Sequence, residues 1–346
     1  MAYVAGEVER PWFERPAAGR ICQLASRRSQ VHGNTAWIRA AAHLRGPAQE
    51  PPSAEDAAKL SRFVGHGGCL EYIEPLTGIA RHPFASQLGC KTRYDSRGHP
   101  EGRPTNKYST GYLIPSNFCR NLTQSTSGDR ARGGGACHAG TPGGCRAATL
   151  GSSSACGRAL FYDLGCTTYG RRFPEDKLPA SGSGPSIQYF AALYKKNCVV
   201  FDRIWAWEFK AYDPTLWWNQ VPLEVRAKLH FYNTRVDGGW KSDASALRTI
   251  VATANPEDFV VVKVDIDTSH STELDIVRAI ADNPVLTRLV DEVYFEYHFL
   301  ADNLTIGWQT QNWNQSEIHY TTDTVDDALG LMQRLRRRGV RSHFWV

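Results

Sequence analysis

The sequence predicts an α/β fold: a mostly parallel, doubly wound sheet in the C-terminal part of the chain, preceded by an irregular N-terminal extension. Three observations carry this prediction. Strand-like and helix-like patterns alternate from about residue 158 onward, and such alternation implies a parallel sheet covered by helices on both faces. The run 259–267 (FVVVKVDID) is apolar enough for a buried central strand, yet it ends in two carboxylates, Asp265 and Asp267. In open α/β sheets ligands gather at that edge, where strand ends and helix starts form a crevice. A Gly-, Ser- and Ala-rich stretch, 123–157, separates this region from what precedes it.

The elements follow in order. Residues 159–163 (ALFYD) are a short apolar run closing in Asp163, a first strand. Ile187, Phe190, Ala191 and Tyr194 recur at helical spacing. Residues 199–207 read as the second strand, closed by Glu208, and 229–233 as the third. Leu247, Ile250, Val251 and Ala254 make another helical face, stopped by Asn255-Pro256. The fourth strand, 259–265, is expected at the centre of the sheet. Leu274, Val277 and Ile280 mark the helix after it, and 290–298 the fifth strand. Val325, Ala328, Leu329, Met332 and Leu335 form the clearest amphipathic helix. Its last turn carries Arg334, Arg336, Arg337 and Arg338, favourable against the helix dipole, with Gly339 at the position after its end. Residues 340–346 read as a final strand.

Upstream, residues 1–122 divide into an Arg-, Ala- and Pro-rich arm to about residue 60, expected to be mobile or loosely docked, and an irregular subdomain of short apolar runs. The stretch 123–157 reads as a flexible linker or insertion, because it offers too little apolar surface to offset its ordering entropy. Residues 158–346 form the main domain.

Composition narrows the function classes. The chain has 346 residues, a net charge of +5, 42% hydrophobic and 22% charged residues, enough for one large domain with an appendage. The arginines are mostly scattered, so no nucleic-acid footprint is expected. No apolar run reaches the ~18 residues of a membrane span, and residues 1–20 lack the apolar core of a signal peptide. The nine cysteines contain no Cys-x-x-Cys pair, which argues against a zinc ribbon. Cys69, Cys90 and Cys119 are disulfide candidates, and Asn121, Asn303 and Asn314 lie in glycosylation sequons. Together these lean toward the secretory pathway, Golgi lumen or extracellular, with a cytoplasmic location as the alternative. The oligomeric state is left open.

Four motifs carry chemistry. Asp163-Leu-Gly165 follows the first strand, where a glycine lets backbone approach a ligand. Glu208 ends the second strand, the place where a carboxylate accepts ribose hydroxyls in nucleotide-binding folds. Lys263, Asp265 and Asp267 share one face of the fourth strand at period two. Glu292, Tyr294, Glu296 and His298 share one face of the fifth, and His298 is the general-base candidate, its ordinary pKa lying near neutrality.

Taken in order, these motifs resemble the FkbM type of S-adenosylmethionine-dependent methyltransferases. Asp163-Leu-Gly165 is similar to that family's first-strand turn, Ala206-Trp-Glu208 to its second-strand acidic element, Lys263-Val-Asp-Ile-Asp267 to its fourth-strand element, and Phe295-Glu-Tyr-His298 to its fifth. The resemblance implies a Rossmann-like methyltransferase fold over residues 158–346 with S-adenosylmethionine as cofactor. It implies that Asp163 and Gly165 line the methionine end, that Glu208 holds the ribose, and that Asp265 sits near the sulfonium or the acceptor. His298 or Asp265 would serve as base toward a small-molecule or glycan hydroxyl. The chain departs from the pattern at Asp267-Thr268, which lacks the family's glycine, and at Cys166-Thr-Thr168, which lacks a second one. Two rival readings stand beside this one. Asp265-Ile-Asp267 is also similar to the Asp-x-Asp metal motif of nucleotide-sugar glycosyltransferases. The two departures, with ten Trp and fourteen Tyr residues, would also suit a non-catalytic binding protein on a methyltransferase-like fold.

Overall fold

A computed structural model of the chain describes residues 1–14, 37, 41, 44, 52–65, 70–77, 113–117, 157–170, 185–266, 270–297, 299–301, 304–306 and 323–345. The N-terminal elements are β1 (Ala2–Val4), α1 (Arg10–Glu14), α2 (Ala54–Lys59), β2 (Ser61–Val64) and β3 (Leu70–Ile73). The next are β4 (Ala159–Leu164), α3 (Ser186–Lys195), β5 (Arg203–Trp207), α4 (Pro214–Trp218), α5 (Leu223–Arg226) and β6 (Leu229–Tyr232). Then come α6 (Ala246–Thr253), β7 (Phe259–Val264), α7 (His270–Asp282), α8 (Pro284–Leu289) and β8 (Glu292–Phe295). The last are β9 (Phe299–Ala301), β10 (Leu304–Ile306), α9 (Val325–Arg337) and β11 (Arg341–Phe344).

Six strands form one sheet in the order β11-β8-β7-β4-β5-β6, with every pairing parallel. The central pair, β4 and β7, is buried at every position, which is why these strands read as near-continuous apolar runs rather than alternating ones. Period two divides their side chains between two cores. Leu160, Tyr162, Val260 and Val262 pack with α6, α7, α8 and α9, while Phe161, Val261 and Tyr294 pack with α3, Trp217 of α4 and N-terminal residues such as Leu60.

Local chemistry sets the helix ends. Asn283 caps α8 ahead of Pro284, Ser245 caps α6, and Thr324 with Asp327 makes a reciprocal capping box on α9. Gly339, at φ +92°, ends α9 as its position in the sequence predicts.

The chain order reverses at the centre of the sheet. From β4 it runs outward through β5 to β6; from β7 it runs the other way through β8 to β11. The β4–β7 junction is therefore the switch point, where two successive connections leave on opposite sides and open a crevice at the carboxyl ends.

The described N-terminal residues are more regular than their composition predicts. β1, β2 and β3 form a three-stranded antiparallel sheet, and the side chains of Glu9 and Glu74 are buried against Arg336 of α9. A segment tied down by long-range ion pairs shows no local periodicity, so the sequence predicts a mobile or loosely docked arm to about residue 60 and an irregular subdomain after it. The linker expected at 123–157 lies outside the described residues except for Gly157. Cys69, Cys90, Cys119 and the sequons at Asn121, Asn303 and Asn314 lie outside them as well. Among the described residues, no helix is long and apolar enough to cross a membrane.

Candidate functional site at the switch point of the sheet

The turn after β4 is closed by backbone on both sides. Gly165 N and Cys166 N donate to Trp207 O at 3.0 and 3.1 Å, and Asp265 N donates to Leu164 O at 3.1 Å. Gly165 sits at φ +87°. A Cβ there would lie 1.6 Å from the carbonyl oxygen of Asp265, so only glycine fits between the ends of β4 and β7. Two residues on, Thr167 holds φ +55°, a conformation costing a non-glycine residue about 1–3 kcal/mol and found where surrounding structure enforces it. The enforcing contacts are the Thr167 N–H donated to Glu208 Oε2 at 2.8 Å and the Trp217 indole N–H donated to Thr167 O at 3.2 Å.

Beneath the turn lies a row of polar side chains in register across four strands. Asp163 of β4 pairs with Lys263 of β7, Lys263 with Tyr294 of β8, and Tyr294 with His343 of β11. The Lys263 ammonium is shared: it lies 3.4 Å from Asp163 Oδ1 and 3.1 Å from Asp265 Oδ2, and it donates to Gly165 O at 2.6 Å. Ser186, at the start of α3, donates to Asp163 Oδ2 at 2.6 Å, and Trp345 donates its indole N–H to Asp265 Oδ2 at 2.9 Å.

The two carboxylates diverge electrostatically. Burial dominates at Asp163 and raises its pKa despite the Lys263 charge and the Ser186 hydrogen bond. Burial also pushes Asp265 up, but the Lys263 charge and the hydrogen bonds from Lys263 and Trp345 outweigh it, so Asp265 stays below the usual carboxylate range. Lys263 is desolvated, yet the charges of Asp265 and Asp163 hold it protonated. Asp265 is thus the anionic member and a poor proton acceptor. Its side chain is 13% exposed, whereas Asp163 is wholly buried, so Asp163 shapes the turn from below and Asp265 reaches the crevice.

Glu208 directly follows β5 and is half-buried. Its Oε2 holds Thr167 N and its Oε1 accepts from Lys210 N at 2.7 Å. Each oxygen keeps a second lone pair for a ligand hydroxyl. Glu208→Ala is expected to lower stability by about 1–2 kcal/mol, less than two fully buried charge-assisted bonds would contribute, because solvent screens the group. Urea unfolding checks this, and an unchanged midpoint would show that the two bonds contribute nothing net.

Of the site residues expected from the sequence, Asp163, Gly165, Glu208 and Asp265 all come to the carboxyl edge of the sheet. His298 and Asp267 lie outside the described residues. Ser186, Thr167 and Trp345 were missed. Trp345 had a usable signal, since period two on the last strand puts it on the same face as His343. Ser186 and Thr167 had none, because their roles depend on where α3 docks and on a backbone conformation. Compared with known proteins, the chain matches no family model, no curated protein and no solved structure.

Proposed function

We propose that the chain is an S-adenosylmethionine-dependent methyltransferase acting on a hydroxyl of a small molecule or glycan, with the cofactor lying over the carboxyl ends of β4 and β5. The observation that carries this reading is the meeting of the Gly165 turn and Glu208 at the switch point, joined through Thr167 N. A parallel strand order that reverses at the centre supports a Rossmann-like reading, in which the crevice takes nucleoside ligands. Gly165 has no side chain to obstruct the cofactor's approach. Glu208 accepts from the ribose hydroxyls, and the anionic Asp265 attracts the cofactor amine or sulfonium. Because Asp265 is held ionised by Lys263, the acceptor proton goes to another base, and His298 fills that role in this proposal.

A second reading, a non-catalytic binding protein, is favoured by one observation: both Glu208 oxygens already hold backbone N–H groups. Calorimetry with S-adenosylmethionine, without added metal, separates the two. The expected result is saturable binding below millimolar cofactor, weakened at least roughly tenfold in Glu208→Ala. No binding at millimolar cofactor moves the assignment to the second reading. Binding of a nucleotide sugar with Mn²⁺ instead moves it to a glycosyltransferase using Asp265 and Asp267.

A further inference from the structure

Away from the switch point, a second buried polar cluster joins the N-terminal sheet to the last strand. His343 of β11 is wholly buried, and each of its ring nitrogens meets a carboxylate. Nδ1 lies 2.6 Å from Glu74 Oε1, and Nε2 lies 2.7 Å from Glu292 Oε1. Glu74 follows β3 in the N-terminal segment, whereas Glu292 begins β8 of the main sheet. A neutral imidazole has one N–H and so can bond only one of two carboxylates; an imidazolium bonds both.

The surrounding groups decide which form is present. Glu74 also accepts from Ile114 N, and Arg336 approaches it at 3.7 Å. Glu292 accepts from Ser116 N, and Arg341 approaches it at 3.4 Å. Arg336 reaches Glu9 at 3.6 Å, Arg341 reaches Glu71 at 3.2 Å, and Glu9 accepts from Tyr3 and Ser61. Tyr294 stacks on the imidazole with centroids 4.4 Å apart and meets the Tyr194 hydroxyl at 3.1 Å. The buried carboxylates Glu9, Glu74 and Glu292 face the buried cations Arg336 and Arg341. With the half-buried Glu71 also on Arg341, four carboxylates meet two guanidiniums, and a charged His343 supplies a third positive charge.

We propose that His343 is a buried imidazolium whose proton latches the N-terminal sheet to β11 and β8, and that losing this proton at alkaline pH releases the sheet. The proposal does not depend on the cofactor assignment. Burial opposes charging the ring, but Glu74 and Glu292 outweigh it and raise the His343 pKa. Burial likewise opposes ionising Glu292, yet the His343 hydrogen bond and the Arg341 charge bring it down to about 2, and Glu74 is lowered by the same ring. Tyr3, Tyr194 and Tyr294 are raised by burial, and arginine does not deprotonate. His343 is therefore the member that titrates first as pH rises. A histidine whose folded pKa exceeds its unfolded value stabilises fully below the unfolded pKa, about 6.5, and that stability is lost as pH rises through the folded value.

The test uses the full chain with ¹⁵N-labelled histidine, the His343 signal being assigned by its loss in His343→Gln. At neutral pH both ring nitrogens are expected to carry protons; a singly protonated ring would overturn the proposal. Hydrogen exchange, corrected for its intrinsic pH dependence, should show amides of β1, β2 and β3 losing at least about tenfold protection above the pKa of the ring. β4 and β7 should keep theirs. Glu74→Gln should flatten this pH dependence by removing one carboxylate that holds the proton. Loss of protection in all strands together, or an unchanged profile in Glu74→Gln, would also overturn it.

Discussion

Replacing Lys263 with methionine is expected to destabilise the fold by about 3–5 kcal/mol and to lower the melting temperature by on the order of 10 °C. The side chain is 2% exposed, and its ammonium stands between Asp163 and Asp265 at 3.4 and 3.1 Å. Removing it leaves Asp265 as a mostly buried carboxylate without its cation, which costs more than the ion pair itself contributed. It also removes the donor that holds Gly165 O. Asp163 offsets part of the loss by taking up a proton, toward which burial already biases it. Adding Asp163→Asn should therefore recover little, whereas adding Asp265→Asn should recover more. A double-mutant cycle in thermal unfolding measures this difference. A Lys263→Met protein melting within a degree of the parent would refute the account of the charged row.

Gly165→Ala is expected to cost at least about 3 kcal/mol and to abolish binding at the crevice. The positive φ strains any side chain there, and the added methyl would overlap the backbone of Asp265 at 1.6 Å. Backbone at that point belongs to the central strand pair, so relief requires the ends of β4 and β7 to part. That movement would break the Asp265 N to Leu164 O bond and displace Asp265 from Trp345. Urea unfolding and calorimetry with S-adenosylmethionine provide the two measurements; parent-like values in both would mean that the turn has room that its geometry denies.

Legibility from sequence followed the range of the interactions. β4 and β7 were found because strands buried on both faces are written as contiguous apolar runs. α9 was found because its buried face recurs at helical spacing and Gly339 ends it. Strand ends in a parallel sheet converge, so locating the strands locates Asp163, Glu208 and Asp265 at one edge. Arg336 lies in the last turn as the sequence predicts, but it has a further role. It looked like one of four last-turn arginines answering the helix dipole, yet it is wholly buried and donates to the Glu74 carbonyl, 262 residues earlier in the chain. Its spacing, four after Met332 and seven after Leu329, puts it on the buried face, unlike its exposed neighbours Arg337 and Arg338, but charge alone reads as surface. The same limit hid the N-terminal sheet, whose strands are short and whose partners lie at the other end of the chain. Short helices such as α4 and α5 left no periodic trace either.

β11 brings together more than its four residues suggest. Arg341 and His343 close the cluster around Glu292 and Glu74, and Trp345, immediately after the strand, completes the partners of Asp265. A sheet built only through β8 would leave Glu292 without Arg341 and His343, Glu74 without His343, and Asp265 without its indole donor. Asp265 would keep Lys263, and Glu74 and Glu292 would keep the backbone donors of Ile114 and Ser116, but neither glutamate would have His343. The pairing of β11 with β8 thus turns an electrostatically incomplete sheet into one whose two polar clusters are both closed.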